Sequence, residues 1–260
     1  MKIEEIKKNA MEKIKAEGVL EQISCRGRLL FLAVGGSHNF GFPSQNSDYD
    51  IRGVYLAPTT AFLGRSRGQE EYKPYEYMSP DRSLDVAVDE LGKYVDLVCK
   101  SNGNRVEWPN SPLIITASAD FQHLKDIVNK CGLSKRLFDH YYHFANDMYA
   151  GKTGAKGLKR DLYTLRTYMA GITILEEGKV ISDIQRLNEK FRYSLINRLV
   201  EQKEKDEHAP TDDQMTGEID RIIKELDGRL LRAYANSTLP ENPHIPELDR
   251  FLVEIRKKHI

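Results

Sequence analysis

The chain has 260 residues, 40% of them hydrophobic, and its 39 Lys and Arg are balanced by 39 Asp and Glu. A chain of this size buries a substantial core and most simply forms two domains, and its zero net charge excludes a globally basic nucleic-acid binder, so any such surface has to be local. The three cysteines, Cys25, Cys99 and Cys131, lack metal-type spacing and no apolar run reaches the length of a membrane span, which argues against a disulfide framework, a zinc site and a membrane location and leaves the reduced cytoplasm as the expected location.

In chain order, residues 2–15 are charged and read as an amphipathic helix without the apolar core of a signal peptide. Residues 28–34 form a short apolar run bounded by glycines, which predicts a buried strand entering the turn Gly35-Gly36-Ser37. Glycine lets backbone approach a ligand closely, and Ser37 would open a short helix whose free amides suit a phosphate. Residues 47–56 predict a second strand, on which alternation places Asp48, Asp50 and Arg52 on one face and Tyr49 and Ile51 on the other.

Two carboxylates about 4 Å apart repel by roughly 4 kcal/mol at an effective dielectric near 20. A divalent cation cancels that cost, and Mg²⁺, with Mn²⁺ as its substitute, prefers hard oxygen ligands of this kind. Arg52 either meets phosphate or neutralises the aspartates, and His38 either assists phosphate binding or fixes the turn. A third carboxylate is needed for a second metal and for the proton of an attacking hydroxyl. Asp85, in a predicted strand over 83–88, is the choice; Asp89 is the rival, with a competing duty as N-cap of a helix predicted over 89–100.

Residues 64–82 read as a loop-rich insertion able to frame an acceptor pocket. A strand follows over 112–116 and a helix over 118–129, and from residue 134 the pattern is almost wholly helical. Leu158, Leu162, Leu165, Met169, Ile172 and Leu175 step by three or four along one helix that ends near Gly178. Further helices are predicted over 183–205, 212–234 and 246–258. Between Lys152 and Tyr168 five basic residues face a single acid, and Lys159, Tyr163 and Arg166 share a stripe able to meet a triphosphate or an RNA backbone. Tyr141, Tyr142 and Tyr149 read chiefly as packing residues, and His140 and His143 as structural.

The run GGSHNFGFPSQNSDYDIRGV over 35–54, with Glu90-Leu91-Gly92-Lys93 and the segment KSNGNRVE over 100–107, resembles the DNA polymerase β-like nucleotidyltransferase superfamily and, within it, the branch associated with RNA repair and RNA ligases. The resemblance spans residues 25 to 180 and departs from the pattern at Ser101-Asn102-Gly103. It implies an α+β fold, a mixed sheet flanked by helices and followed by an all-helical domain, divided as 1–132 (catalytic) and 133–260 (nucleotide and acceptor binding). It implies that Gly36 and Ser37 bind nucleotide phosphates, that Asp48 and Asp50 hold Mg²⁺, that Asp85 completes the triad, and that the helical domain supplies a lysine. The implied activity is transfer of NMP from an NTP to a hydroxyl, with an RNA 3′ end as the expected acceptor. Nucleotidylation of a small molecule or protein, and a non-catalytic nucleotide-binding module, are the alternatives; no protein partner is legible.

Overall fold

A computed structural model of the chain describes residues 2–63, 72–153, 156–205 and 213–260. Their contacts divide the chain into two compact units. One comprises Met1–His38, Asp48–Gly132 and Pro243–Ile260, the other Asn39–Ser47 and Leu133–Asn242. This grouping differs from the expected division at 1–132 and 133–260 at two segments: residues 39–47 fall in the second unit, and the last helix falls in the first.

The first unit is built on a five-stranded mixed sheet in the order β3-β4-β2-β1-β5. Strand β1 (Arg28–Val34) is apolar almost throughout because both its faces are covered, and it runs antiparallel to β2 (Tyr49–Leu56) and β5 (Ile114–Ala117). Strand β4 (Leu84–Glu90) lies parallel to β2, and β3 (Tyr75–Met78) closes the edge antiparallel to β4. The first halves of β2 and β4 alternate buried and half-buried residues, so Tyr49, Ile51, Leu84 and Val86 enter the core while Asp50, Arg52 and Asp85 face the other way. The C-terminal end of β1 and the N-terminal ends of β2 and β4 meet at one edge of this sheet, since β1 is antiparallel to β2 and β2 is parallel to β4.

Strand β3 falls inside the segment read as an insertion. Its four residues are too few for periodicity to declare, and the part of the insertion over 64–71, with Glu70 and Glu71, lies outside the described residues. The N-terminal helix, Ile3–Ala16, buries Ile6, Ala10 and Ile14, one stripe at i, i+4 spacing. The helix Leu91–Cys99 is capped by Glu90, whose carboxylate accepts from Gly92 N at 2.6 Å, and not by Asp89 as expected. The C-terminal helix, Ile245–Lys258, is tied into the same unit through Arg256. Its Nη2 donates to Glu90 Oε1 at 3.0 Å, its guanidinium lies 3.8 Å from the Phe62 ring centroid, and its carbonyl accepts from Thr59 at 2.8 Å.

The second unit is helical. Gly157–Glu177 is its central element, with Leu158, Leu162, Leu165, Met169, Ile172 and Leu175 all buried, and it ends where Gly178 adopts φ 65°. Leu137–Tyr149, Asp213–Asn236 and Ser194–Lys205 pack on it. The helix expected over 183–205 is broken in two, because Arg192 takes a left-handed conformation (φ 59°) after Phe191 and the Asn188 side chain closes the gap through both Tyr193 N and Tyr193 O.

Segment Asn39–Ser47 is held within this unit by several contacts. Ile184 N donates to Phe40 O at 2.9 Å, Lys203 Nζ to Phe42 O at 2.9 Å, and both phenylalanine rings meet Tyr163 edge-on. Among the described residues no helix is long and apolar enough to cross a membrane.

Candidate active site

The site begins with the turn after β1. Gly35 N donates to Asp50 O at 2.7 Å, continuing the β1–β2 ladder by one rung. Gly36 then takes φ +55°, and a Cβ built on it would lie 1.6 Å from Asp50 Oδ2 and 2.6 Å from its Cγ. The two positions interlock: the missing side chain of Gly36 is the space that the Asp50 carboxylate occupies. Residues Gly36–Asn39 form a single helical turn, so this turn offers backbone N–H groups rather than the macrodipole expected of a longer helix. Ser37 is buried and its Oγ has no hydrogen-bond partner among the described residues. His38 is also buried and stacks on Tyr49, ring centroids 4.6 Å apart at 15°, which braces the turn against the core face of β2.

Asp50 and Asp85 are directly paired positions in the parallel β2–β4 ladder. Arg52, two residues along the same face, folds back between them. Its Nη2 donates to Asp50 Oδ1 at 2.6 Å and to Asp85 Oδ2 at 2.8 Å, and its Nη1 donates to the carbonyls of Ile51 and Asp85 at 3.0 and 3.1 Å. Of the two roles considered for Arg52, neutralising the aspartates is the one this arrangement displays.

Burial pushes the Asp50 carboxyl up to about 6 in spite of the opposing pull of Arg52, and the negative charges of Asp48 and Asp85 push in the same direction as burial. Asp48, half-buried just before β2, is thus close enough to Asp50 to act on its charge. Asp89, the rival third carboxylate, is committed elsewhere: it is 1% exposed and accepts from Arg105 Nε at 2.8 Å, with that guanidinium 4.2 Å from the Trp108 ring centroid.

Asp50 and Asp85 offer hard carboxylate oxygens on adjacent strands beside a glycine turn, which fits the donor preference of a divalent cation held by one or two carboxylates together with substrate phosphates. No group of three or more His, Cys, Asp or Glu among the described residues is disposed to hold a metal ion. The Arg52 guanidinium bonds one oxygen of Asp50 and one of Asp85.

Gly36, Ser37, His38, Asp48, Asp50, Arg52 and Asp85 all belong to the sheet-containing unit; Lys159 and Arg166 belong to the helical one. Lys159 is half-buried on its helix. Arg166 is 2% exposed, with its guanidinium 4.0 Å from the Phe40 ring centroid and Nε donating to Ser182 O at 3.0 Å, so it holds segment 39–47. Of the other basic residues in this segment, Arg160 pairs with Asp161 at 2.7 Å and Lys152 with Asp147 at 2.9 Å. Sequence reading missed Lys203, whose fully buried ammonium grips Phe42 O; a charge-rich helix end gives no sign of which lysine turns inward.

The family model described as "RNA repair pathway DNA polymerase beta family" matches residues 3–254. An uncharacterized protein of Methanocaldococcus jannaschii, MJ0002, is 28% identical over 221 residues, 82% of this chain and 88% of that protein. The uncharacterized Bacillus subtilis protein YcgL is 27% identical over 158 residues, 59% of this chain and 58% of its own. Among solved structures, a nucleotidyltransferase-like protein from Exiguobacterium sibiricum 255-15 is similar at 12% identity with a TM-score of 0.30, covering 95% of this chain and 80% of that one. The glycine turn seated on Asp50, the Asp50–Asp85 register and a family match over nearly the whole length lead to one conclusion: the chain belongs to the RNA repair pathway DNA polymerase β family.

Proposed function

We propose that the chain is a metal-dependent nucleotidyltransferase that moves NMP from an NTP to a hydroxyl group, with the 3′ end of an RNA as acceptor. The observation that carries this reading is the interlock of Gly36 with Asp50, because it fixes a backbone donor turn and a carboxylate at one point beside a second carboxylate, Asp85. In this reading the amides around Gly36 and the Ser37 hydroxyl bind triphosphate oxygens. Asp50 and Asp85 hold the divalent cation, with Asp48 adding negative charge beside them, and Arg52 contacts phosphate.

The cation, when bound, supplies charge neutralisation for the triphosphate and acidifies the attacking hydroxyl. The new bond joins the acceptor oxygen to the α-phosphorus, the α–β phosphoanhydride bond breaks, pyrophosphate departs, and the hydroxyl proton passes to a site carboxylate. Most of the work falls to positioning, which a rigid sheet edge favours.

RNA as acceptor is supported by the family description. A small-molecule or protein hydroxyl is the second reading, favoured by the internal pairing of Arg160 and Lys152 and the burial of Arg166, which remove much of the cationic surface that a polynucleotide needs. Incubation of α-labelled NTPs with RNA and Mg²⁺ separates the two. Label on RNA, with loss of at least a hundredfold of turnover in Asp50→Asn, is the expected result. Label on protein or on a small hydroxyl compound rejects RNA as acceptor, and undiminished transfer by Asp50→Asn rejects the site.

A further inference from the structure

We infer that Arg52 is a built-in counter-ion that keeps bare divalent cations out of the site and yields the two carboxylates only to a metal–nucleoside triphosphate complex. The inference rests on the nucleotidyltransferase reading and adds an order of binding to it. Its basis is that one atom, Arg52 Nη2, bonds Asp50 Oδ1 at 2.6 Å and Asp85 Oδ2 at 2.8 Å, while Nη1 is anchored on the carbonyls of Ile51 and Asp85. The bridge is partly shielded from solvent, the side chains of Arg52, Asp50 and Asp85 being 20%, 17% and 31% exposed.

A divalent cation bridging Asp50 Oδ1 and Asp85 Oδ2 would meet the two oxygens that Nη2 already holds, at about 2.1 Å for Mg²⁺. Guanidinium and metal therefore compete for one position, and their like charges forbid a shared occupancy. A bare cation has to break the two Nη2 bonds to these oxygens and leaves the displaced guanidinium without an anion. A triphosphate changes that balance. Its oxygens match the planar fork of a guanidinium in the bidentate geometry that favours Arg over Lys. The exchange then conserves charge pairing on both sides: the metal takes Asp50 and Asp85, and Arg52 takes phosphate. Gly36 places the phosphate turn against the same carboxylate, so the new partner arrives where the old one is lost.

The test is Mn²⁺ binding without nucleotide, read from the electron paramagnetic resonance signal of the free ion, on wild type, Arg52→Met and Arg52→Lys. Arg52→Met is expected to bind Mn²⁺ at least tenfold more tightly than wild type and MgATP at least tenfold more weakly. Arg52→Lys, which keeps the charge and loses the fork, falls between them and guards against misfolding of the methionine variant. Adding Asp85→Asn to Arg52→Met removes the gain. Equal Mn²⁺ affinity across the three proteins, absence of binding in all of them, or undiminished MgATP affinity in Arg52→Met overturns the inference. Pyrophosphate release by the wild type is measured alongside: its absence refutes the nucleotidyltransferase reading, while the Mn²⁺ series decides the role of Arg52.

Discussion

Replacing Gly36 with alanine tests the interlock on which the site depends. At φ +55° an L-residue costs about 1 kcal/mol relative to glycine. The added Cβ would stand 1.6 Å from Asp50 Oδ2, 2.6 Å from Cγ and 3.1 Å from Cβ, so rotating the carboxylate tip is not enough and the whole side chain has to move. That displacement breaks the 2.6 Å bond from Arg52 and leaves a partly buried ion pair unmade, a further loss of about 1–3 kcal/mol. Gly35→Ala is the internal control. Its φ is ordinary and its nearest contact is Arg52 Cγ at 3.1 Å, an atom able to shift by a few tenths of an ångström, so the expected cost is below about 1 kcal/mol. Thermal unfolding should separate the pair, with Gly36→Ala lower by on the order of 10 °C. NTP-dependent pyrophosphate release should fall by roughly a hundredfold in Gly36→Ala, the scale expected of an ångström-level misplacement of a reacting group. Equal stability and turnover within twofold for the two variants would refute the interlock.

Two further predictions concern groups outside the site. Lys203→Met strips the buried donor from Phe42 O and should cost about 2 kcal/mol by urea unfolding, without the same loss in a variant of an exposed lysine such as Lys224→Met. Asp120 is 4% exposed at its side chain; burial raises its carboxyl, but hydrogen bonds from Lys258 at 2.5 Å and His259 at 2.8 Å prevail and hold it below the ordinary range, with Arg28 3.8 Å away. A depressed carboxyl stabilises the fold above its unfolded value of about 3.9 and loses that contribution as pH falls through the folded value. Asp120→Asn should therefore be about 2 kcal/mol less stable than wild type at pH 7, with the gap closing as pH falls through the folded value of Asp120. A constant gap across an acid titration of unfolding free energy contradicts the assignment.

Elements whose signal is local were legible before any coordinates. The apolar run at 28–34, the alternation from Tyr49 to Arg52, and the leucine steps from Leu158 to Leu175 each report their own burial, because periodicity and side-chain direction are properties of a single element. Strand β3 and the break at Arg192 escaped for the same reason: four residues carry too little periodicity, and a left-handed Arg has no marker of the kind that glycine provides.

The sequence alone determined a glycine turn free to take positive φ at Gly36 and a face of alternating aspartates, since both need nothing beyond neighbouring residues, and their spacing carried the resemblance to nucleotidyltransferases. Only the tertiary structure decided what those residues do to one another. Asp50 and Asp85 are thirty-five positions apart and become neighbours through a parallel pairing; Arg52 bridges them because that register leaves room for a guanidinium. The last helix joins the sheet unit by burying Leu248, Phe251 and Ile255 and by pairing Arg256 with the buried Glu90 carboxylate. Long-range electrostatic pairing has no period along the chain, and so it is read from space alone.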